Sequence, residues 1–463
     1  MENREAKNKF WKGVLVGALV TAFVGLIIVG VSAGIFLIGR TVIDNQVETQ
    51  QADGSSSGPG GGSKINFEEI NTKLKYMESI VDRLFLFDED VEKIEDGIYL
   101  GMMYGLDDPY SVYYNEENFE SLMEDTTGEY CGIGAMVQQN MSSGIMTIVK
   151  VFADSPALES GMLPGDILYK VGDEAVTGKE LALVVKEDIR GEEGTYVNIT
   201  VLRGESAEEV ELKVQRRQIE VPTVEYQMLE DKVGYIYVMQ FDEVTSQQFK
   251  DAVDDLEKQG MEKLLVDVRN NPGGVLDTAV EMLAYVLPED KLDGMLIYTK
   301  DKNGKGDRYF CEGGKIVKES DSGITDSRYP KEDDHELKVP MAVLVNGNSA
   351  SAAEVFTGAV QDYEAGIAVG TQTFGKGIVQ QLVPLGDGTA IKLTTSHYYT
   401  PSGFDLHGKG LEPDVEVDLN EELKTKAVVE LSEDNQVKAA IEALEKIEPE
   451  SMKTDIQKLK VSK

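Results

Sequence analysis

From Phe67 onward the apolar positions change their spacing twice. Phe67, Ile70, Leu74, Met77, Ile80, Val81 and Leu84 recur at three- and four-residue steps, a helical period. The spacing predicts helical structure from Phe67 to Glu124, with a second helix over Val91 to Gly105 that Asp107-Asp108-Pro109 breaks. From about Thr126 to Gln215 the pattern predicts short strands at Ile145–Phe152, Ile167–Val171, Tyr196–Leu202 and Val210–Val214. A short helix from Ser155-Pro156-Ala157 to Gly161 and a longer one over Lys179–Ile189 interrupt them. From residue 216 to about 430 strands and helices alternate: Val233–Met239, helix Ser246–Gln259, Lys263–Val268, helix Leu276–Val286, Ala342–Val345 and a further helix. That alternation predicts an α/β core. Lys300–Glu336, charged and glycine-bearing, reads as an extended hairpin or surface excursion, and Gln436–Leu444 as a last amphipathic helix.

Ahead of these regions lies the uncharged run Gly13–Gly39. A helix of that length rises roughly 40 Å, against a bilayer core of about 30 Å. Arg4, Lys7, Lys9 and Lys12 precede it, which predicts a cytoplasmic N-terminus. A cleaved signal peptide with Val31-Ser32-Ala33 at the cut is the competing reading, but such apolar regions usually run about 7–15 residues. The expectation is an uncleaved single-pass anchor in the cytoplasmic membrane with everything after Arg40 outside the cytoplasm. Gly13/Gly17 and Gly30/Gly34 are spaced for helix pairing, and residues 45–63 form a Gly/Ser linker. The resulting plan is a tail (1–12), a transmembrane helix (13–39), a linker (40–64), a helical region (65–125), a β-rich domain (126–215), an α/β core (216–446) and a tail (447–463).

Charge narrows the function. The chain has 83 Asp+Glu against 45 Lys+Arg, a formal net charge of −38. A field of that sign repels phosphate backbones, which excludes nucleic acid as a partner. Cys131 and Cys311 are too few and too far apart for a disulfide framework or thiolate metal site, and His335, His397 and His407 form no HExxH. A zinc hydrolase is therefore not expected.

Three stretches could carry chemistry. Val343–Val345 runs into the small-residue turn Asn346-Gly347-Asn348-Ser349-Ala350-Ser351 and then a helix through Gln361. A hydroxyl there, on Ser349 or Ser351, sits at the positive end of a helix dipole, although a plain N-cap is the commoner role for such a serine. In Phe374-Gly375-Lys376-Gly377-Ile378-Val379, the lysine lies between apolar residues. Burial there would favour its neutral amine, a base able to deprotonate a serine. Gln380 follows at an even step, where it could orient that amine. Asp267-Val268-Arg269-Asn270-Asn271-Pro272-Gly273-Gly274 is a buried strand ending in a turn whose N–H groups could face a carbonyl oxygen.

Two resemblances gather these pieces. The loop Gly132-Ile133-Gly134-Ala135, followed by Ser155-Pro156-Ala157, Gly161 and Pro164-Gly165-Asp166, resembles a PDZ domain. Such domains add a peptide C-terminus as a strand, with loop N–H groups holding its carboxylate. LDDPYSVYY (Leu106–Tyr114), that PDZ pattern, DVRNNPGG (Asp267–Gly274), NSASAAE (Asn348–Glu354), FGKGIVQ (Phe374–Gln380) and YYTPSG…GKGLEPD (Tyr398–Asp414) together resemble the C-terminal processing peptidases, or tail-specific proteases. The resemblance covers roughly Phe67 to Leu444. It implies a crotonase-like ββα core with an inserted PDZ domain, and a Ser-Lys dyad in which Ser351 is the nucleophile, Lys376 the base and Gln380 its positioner. It places the oxyanion hole on backbone N–H groups of Ala352 and Gly273, with Gly274 as neighbour. Arg190 matches a PDZ arginine that couples peptide binding to assembly of the site in some relatives. The substrates implied are extracytoplasmic polypeptides with free C-termini, cut without a cofactor, and the N-terminal helices could pair two copies. Against this stand a PDZ-bearing adaptor with an inactive core, a purely structural anchor, and a Ser-His arrangement through His397 or His407.

Overall fold

The computed structural model describes residues 65–447 apart from 288–293, 313–314, 322, 329–334, 336 and 427–428. The expected cytoplasmic tail, transmembrane helix, linker and the C-terminal tail from residue 448 lie outside the described residues. Among the described residues no helix is long and apolar enough to cross a membrane.

The chain divides into two units. The smaller comprises residues 65–116 together with 382–393. Its helix α1 (Phe67–Leu84) is capped by Asn66, whose Oδ1 accepts the Glu69 N–H at 3.2 Å, and buries no residue. Helix α2 (Val91–Tyr104) is capped by Asp90 and buries only Met103. The helical period expected through Glu124 is broken by strand β1 (Val112–Tyr114), which pairs antiparallel with residues 390–392. Pro109 stops the helix, and Val112-Tyr113-Tyr114 suits a pleated surface better than a helix.

The larger unit opens with α3 (Glu116–Thr127) and β2 (Glu129–Gly132). A β-rich domain follows: β3 (Ala135–Gln139), β4 (Met146–Val151), α4 (Pro156–Glu159), β5 (Ile167–Val171), β6 (Glu174–Ala175), α5 (Leu181–Leu183) continuing as a π-helical turn over Val184–Ile189, β7 (Tyr196–Arg203) and β8 (Glu208–Gln215). Its sheet runs β3-β4-β5-β7-β8 around Met146, Ile148, Leu168, Ile199, Val201 and Val214. Strand β9 (Arg217–Glu220) pairs antiparallel with β2, so one ribbon carries the chain into the domain and out again.

The core sheet has the order β10 (Val224–Met228), β11 (Val233–Val238), β12 (Lys263–Asp267), β17 (Met341–Val345), β18 (Ile367–Gly370), β21 (Val415–Glu416). From β11 to β21 every pairing is parallel, and the order follows the sequence. Right-handed crossovers wound in one direction put α6 (Thr245–Lys258), α7 (Leu276–Val286) and α8 (Ala352–Asp362) on one face. The strands alternate accordingly: Val343 and Val345 join that cluster, whereas Ala342 and Leu344 face α9 (Asn435–Leu444) on the other.

Between β12 and β17 the chain makes an antiparallel meander of β13 (Gly294–Asp301), β14 (Asp307–Glu312), β15 (Lys315–Ser320) and β16 (Gly323–Arg328). Of the two expectations for Lys300–Glu336, the hairpin agrees with these antiparallel pairings and the surface excursion does not, since Tyr309, Cys311 and Ile316 are buried in the main core. β19 (Ile378–Pro384) and β20 (Ala390–Tyr399) complete the fold, residues 396–399 pairing with β13.

Asp242, just after β11, is 1% exposed, and the Gln240 amide donates to its carboxylate. Burial pushes its carboxyl up to about 7, with the Gln240 hydrogen bond opposing and Asp125 reinforcing the shift. An unfolded aspartate titrates near about 4, so the folded state holds the extra proton between those values and stability falls as pH rises through that window. Asp242→Asn is therefore expected to gain stability relative to wild type as pH rises from 5 to 8. Urea unfolding at several pH values measures this, and a pH-independent difference would refute it.

Candidate active site

Strand β17 is buried throughout and delivers Asn346–Ser351 to the sheet's carboxyl edge. The two serines of that turn have different surroundings. Ser349 is fully buried, and its hydroxyl accepts the Asn346 N–H at 2.9 Å and donates to Val268 O at 2.7 Å. It braces one turn against the next. Ser351 occupies the N-cap of α8 with φ +55° and ψ −118°. Caps normally use extended backbone, and a non-glycine residue at positive φ costs of order 1–3 kcal/mol. Such strain is held only where surrounding structure fixes it, and it turns Ser351 out of the usual capping geometry.

The turn after β12 lies directly against it. Gly273 has φ +100°, and a Cβ there would sit 2.6 Å from that of Ser351 and 2.9 Å from the Ala352 nitrogen. Only glycine permits both the conformation and the approach. Asn270, at φ +60°, accepts from the side-chain amides of Asn346 and Asn348, while its N–H donates to Asn346 Oδ1. Asn271 is fully buried; its amide donates to Val238 O and its Oδ1 accepts the Gly273 N–H at 2.8 Å. The Gly273 N–H is thus committed to a side chain, which leaves those of neighbouring Gly274 and of Ala352 as the donors at this corner. Arg269 anchors the turn from behind: its guanidinium binds Asp267 and reaches Asp434 at 2.7 Å and Gln436 at 2.8 Å.

The third stretch closes the site. Phe374 N–H donates to Ser349 O at 3.0 Å. Gly375 (φ +88°) and Gly377 pass so close to the segment 407–410 that a Cβ at either would meet backbone within 2.8 Å. Lys376 is 6% exposed, as its apolar flank predicted, although Phe374 itself is exposed. Gln380, 1% exposed, lies on the buried face of β19 and donates to Thr394 Oγ1 at 3.3 Å. His397 and His407 stack edge-on at 5.1 Å, and His397 is half-exposed beside Asp405.

Two residues left without a role by the motifs stand at the centre. Glu354 is fully buried, and its carboxylate accepts from Ser351 N–H (2.9 Å), Gly375 N–H (2.8 Å), Lys376 N–H (2.9 Å) and the Thr373 hydroxyl (2.5 Å). Burial raises its pKa, with those donors pulling it back. Tyr398, also buried, donates its hydroxyl to Ser351 O at 3.1 Å and its N–H to Gly377 O at 3.0 Å. The Ser-x-x-Glu spacing of a capping box was the available signal for Glu354; nothing local marks Tyr398.

In the β-rich domain the loop Gly132–Ala135 precedes β3 as expected. Ile133 is buried, and Gly134, at φ +77°, sits where a Cβ would lie 2.4 Å from that of Ser155. Ile133 O and Gly134 O accept from Ala157 and Phe152. At the other end of β3, Gln139 donates to Lys179 O (2.6 Å) and accepts from Leu181 N–H (3.3 Å), bridging strand and helix. Arg190 is engaged by Glu124 of α3 and lies 4.9 Å over the Tyr130 ring.

Comparison with known proteins agrees with this architecture. Residues 232–417 match the model of Peptidase family S41, and residues 131–214 match that of a PDZ domain. A "Probable CtpA-like serine protease" of Staphylococcus haemolyticus (strain JCSC1435) is 34% identical over 383 residues, covering 83% of this chain and 72% of the relative. A protein of the same description from Staphylococcus aureus (strain COL) is 36% identical over 358 residues, 77% of this chain and 66% of the relative. The solved photosystem II D1 C-terminal processing protease aligns with 25% identity and a TM-score of 0.38, over 74% of this chain and 86% of its own. The chain belongs to peptidase family S41, as a serine-type C-terminal processing peptidase of the CtpA-like kind with an embedded PDZ domain.

Proposed function

We propose that this peptidase is anchored in the cytoplasmic membrane by residues 13–39 and cuts extracytoplasmic polypeptides near their C-termini with a Ser351–Lys376 dyad. The observation that carries the dyad is the convergence of a strained serine, a buried lysine loop and a glycine turn on one corner of the sheet. The neutral Lys376 amine takes the Ser351 hydroxyl proton as Oγ attacks the scissile carbonyl carbon. The N–H groups of Ala352 and the Gly273-Gly274 turn receive the developing oxyanion; the Gly273 N–H serves only when Asn271 releases it. Collapse expels the amine, which takes the proton from the lysine ammonium. Water, deprotonated by the same lysine, then hydrolyses the acyl-enzyme. Gln380 orients the lysine amine in this reading. Family membership favours a working enzyme over an inactive adaptor.

The PDZ domain supplies the substrate's C-terminus by adding it beside β3, with loop N–H groups from Gly132 to Ala135 on its carboxylate. Arg190 is read as the coupling residue, held by Glu124 until a peptide draws it away. The smaller unit suits pairing with a second copy, because Phe67, Ile70, Met77, Leu84, Ile94 and Ile98 on α1 and α2 are exposed.

Two experiments follow. Digestion of an unfolded protein by the full chain is expected to fall by at least about 10³-fold in both Ser351→Ala and Lys376→Ala. Wild-type activity should rise with pH as the lysine loses its proton. A Lys376→Ala variant that still cuts while His397→Ala does not would overturn the base assignment. For the coupling role, Glu124→Gln is expected to raise cleavage in the absence of added C-terminal peptide, and Arg190→Ala to abolish stimulation by that peptide. Wild-type behaviour of both variants, with and without peptide, would refute it.

A further inference from the structure

The catalytic groups reside on two segments that are not neighbours in sequence, the turn into α8 and the loop ahead of β19. A Ser-Lys dyad works only if those segments hold a fixed register, because proton transfer needs hydrogen-bond reach. We infer that Glu354 and Tyr398 form a two-sided clamp that sets this register, Glu354 gripping backbone N–H groups of both segments and Tyr398 gripping their carbonyls.

Each half of the clamp touches both segments. The Glu354 Oε2 atom alone accepts from Ser351 N–H and Lys376 N–H, so one oxygen bridges nucleophile and base residues. Oε1 accepts from Gly375 N–H and the Thr373 hydroxyl of the same lysine loop. On the opposite side Tyr398 donates to Ser351 O through its hydroxyl and to Gly377 O through its backbone. All four donors to Glu354 point at acceptor lone pairs, an arrangement that a carboxylate satisfies and an amide cannot, since its NH₂ would face N–H donors. Neither side chain is placed to touch the reacting atoms by these bonds; both act through the backbone and are positioning residues. The clamp also spends the Ser351 N–H, which directs the oxyanion to Ala352 and the glycine turn.

The inference rests on the Ser351–Lys376 reading above, and the test separates the two. The full chain, its Ser351→Ala variant, Glu354→Gln and Tyr398→Phe are treated with a fluorophosphonate that acylates nucleophilic serines, recording the rate per reactive site and the final fraction labelled. Glu354→Gln is expected to label to near the wild-type final fraction but about 100-fold more slowly, the scale associated with misplacement of a catalytic group by about 1 Å. Tyr398→Phe, which keeps the ring and loses the hydroxyl, should slow labelling less but measurably. A purely structural role would instead lower the labelled fraction and leave the rate per site unchanged, and that result overturns the clamp. If Glu354→Gln does not fold, Tyr398→Phe decides alone: a wild-type rate per site refutes the inference. Labelling of Ser351→Ala would refute the dyad itself, whatever the clamp variants do.

Discussion

Removing a carboxylate from water costs several kcal/mol unless its lone pairs are met by donors. Glu354 meets that condition with four donors, three of them backbone N–H groups. The requirement works in both directions. The carboxylate stays buried only while the serine turn and the lysine loop present those donors, and its hydrogen bonds in turn help to hold both segments. The positive-φ glycines fit this constraint: Gly375 lets the loop turn its N–H inward, and Gly273 lets the neighbouring turn close on Ser351 without a side chain between them. The strain at Ser351 is sustained by the same set of contacts.

Several links join the PDZ domain to this core, among them the ion pair of Lys150 in β4 with Glu225 in β10. The β2–β9 ribbon carries the chain across, and ion pairs from Lys186 to Glu117 and Arg190 to Glu124 bind the domain's helix to α3. These pairs are partly exposed, and pairs of that kind are each worth at most about 1 kcal/mol. Arg190 also leaves its buried Nε without a hydrogen-bond partner.

Much of this was legible in the sequence because the elements are regular. The α7 boundaries at Leu276 and Val286 and the β5 strand Ile167–Val171 coincide with the periodic runs. The serine, lysine and glycine stretches meet because each ends a buried strand or opens a helix at the same sheet edge. Other features escaped for identifiable reasons. β18 and β21 are too short to show periodicity. The β13–β16 meander is charged along much of its length, and that charge masks the buried residues Leu296, Ile297, Tyr309, Cys311 and Ile316 by which it joins the core. The approach of Tyr398 from a strand 47 positions downstream of Ser351 is a tertiary fact that no local pattern encodes, whereas the capture of the Gly273 N–H by Asn271 is a local Asx turn two residues long.

Arg269 adds a consequence for the order of assembly. It secures the glycine turn through Asp434, the N-cap of α9, which lies 165 positions further along the chain. Contacts of such long sequence separation form late, because the intervening loop must close first. The turn therefore gains its brace only after nearly all of the described peptidase core has been synthesised and folded around it. A chain that ends before Asp434 carries Ser351 and the glycine turn without the Arg269–Asp434 brace that holds that turn from behind.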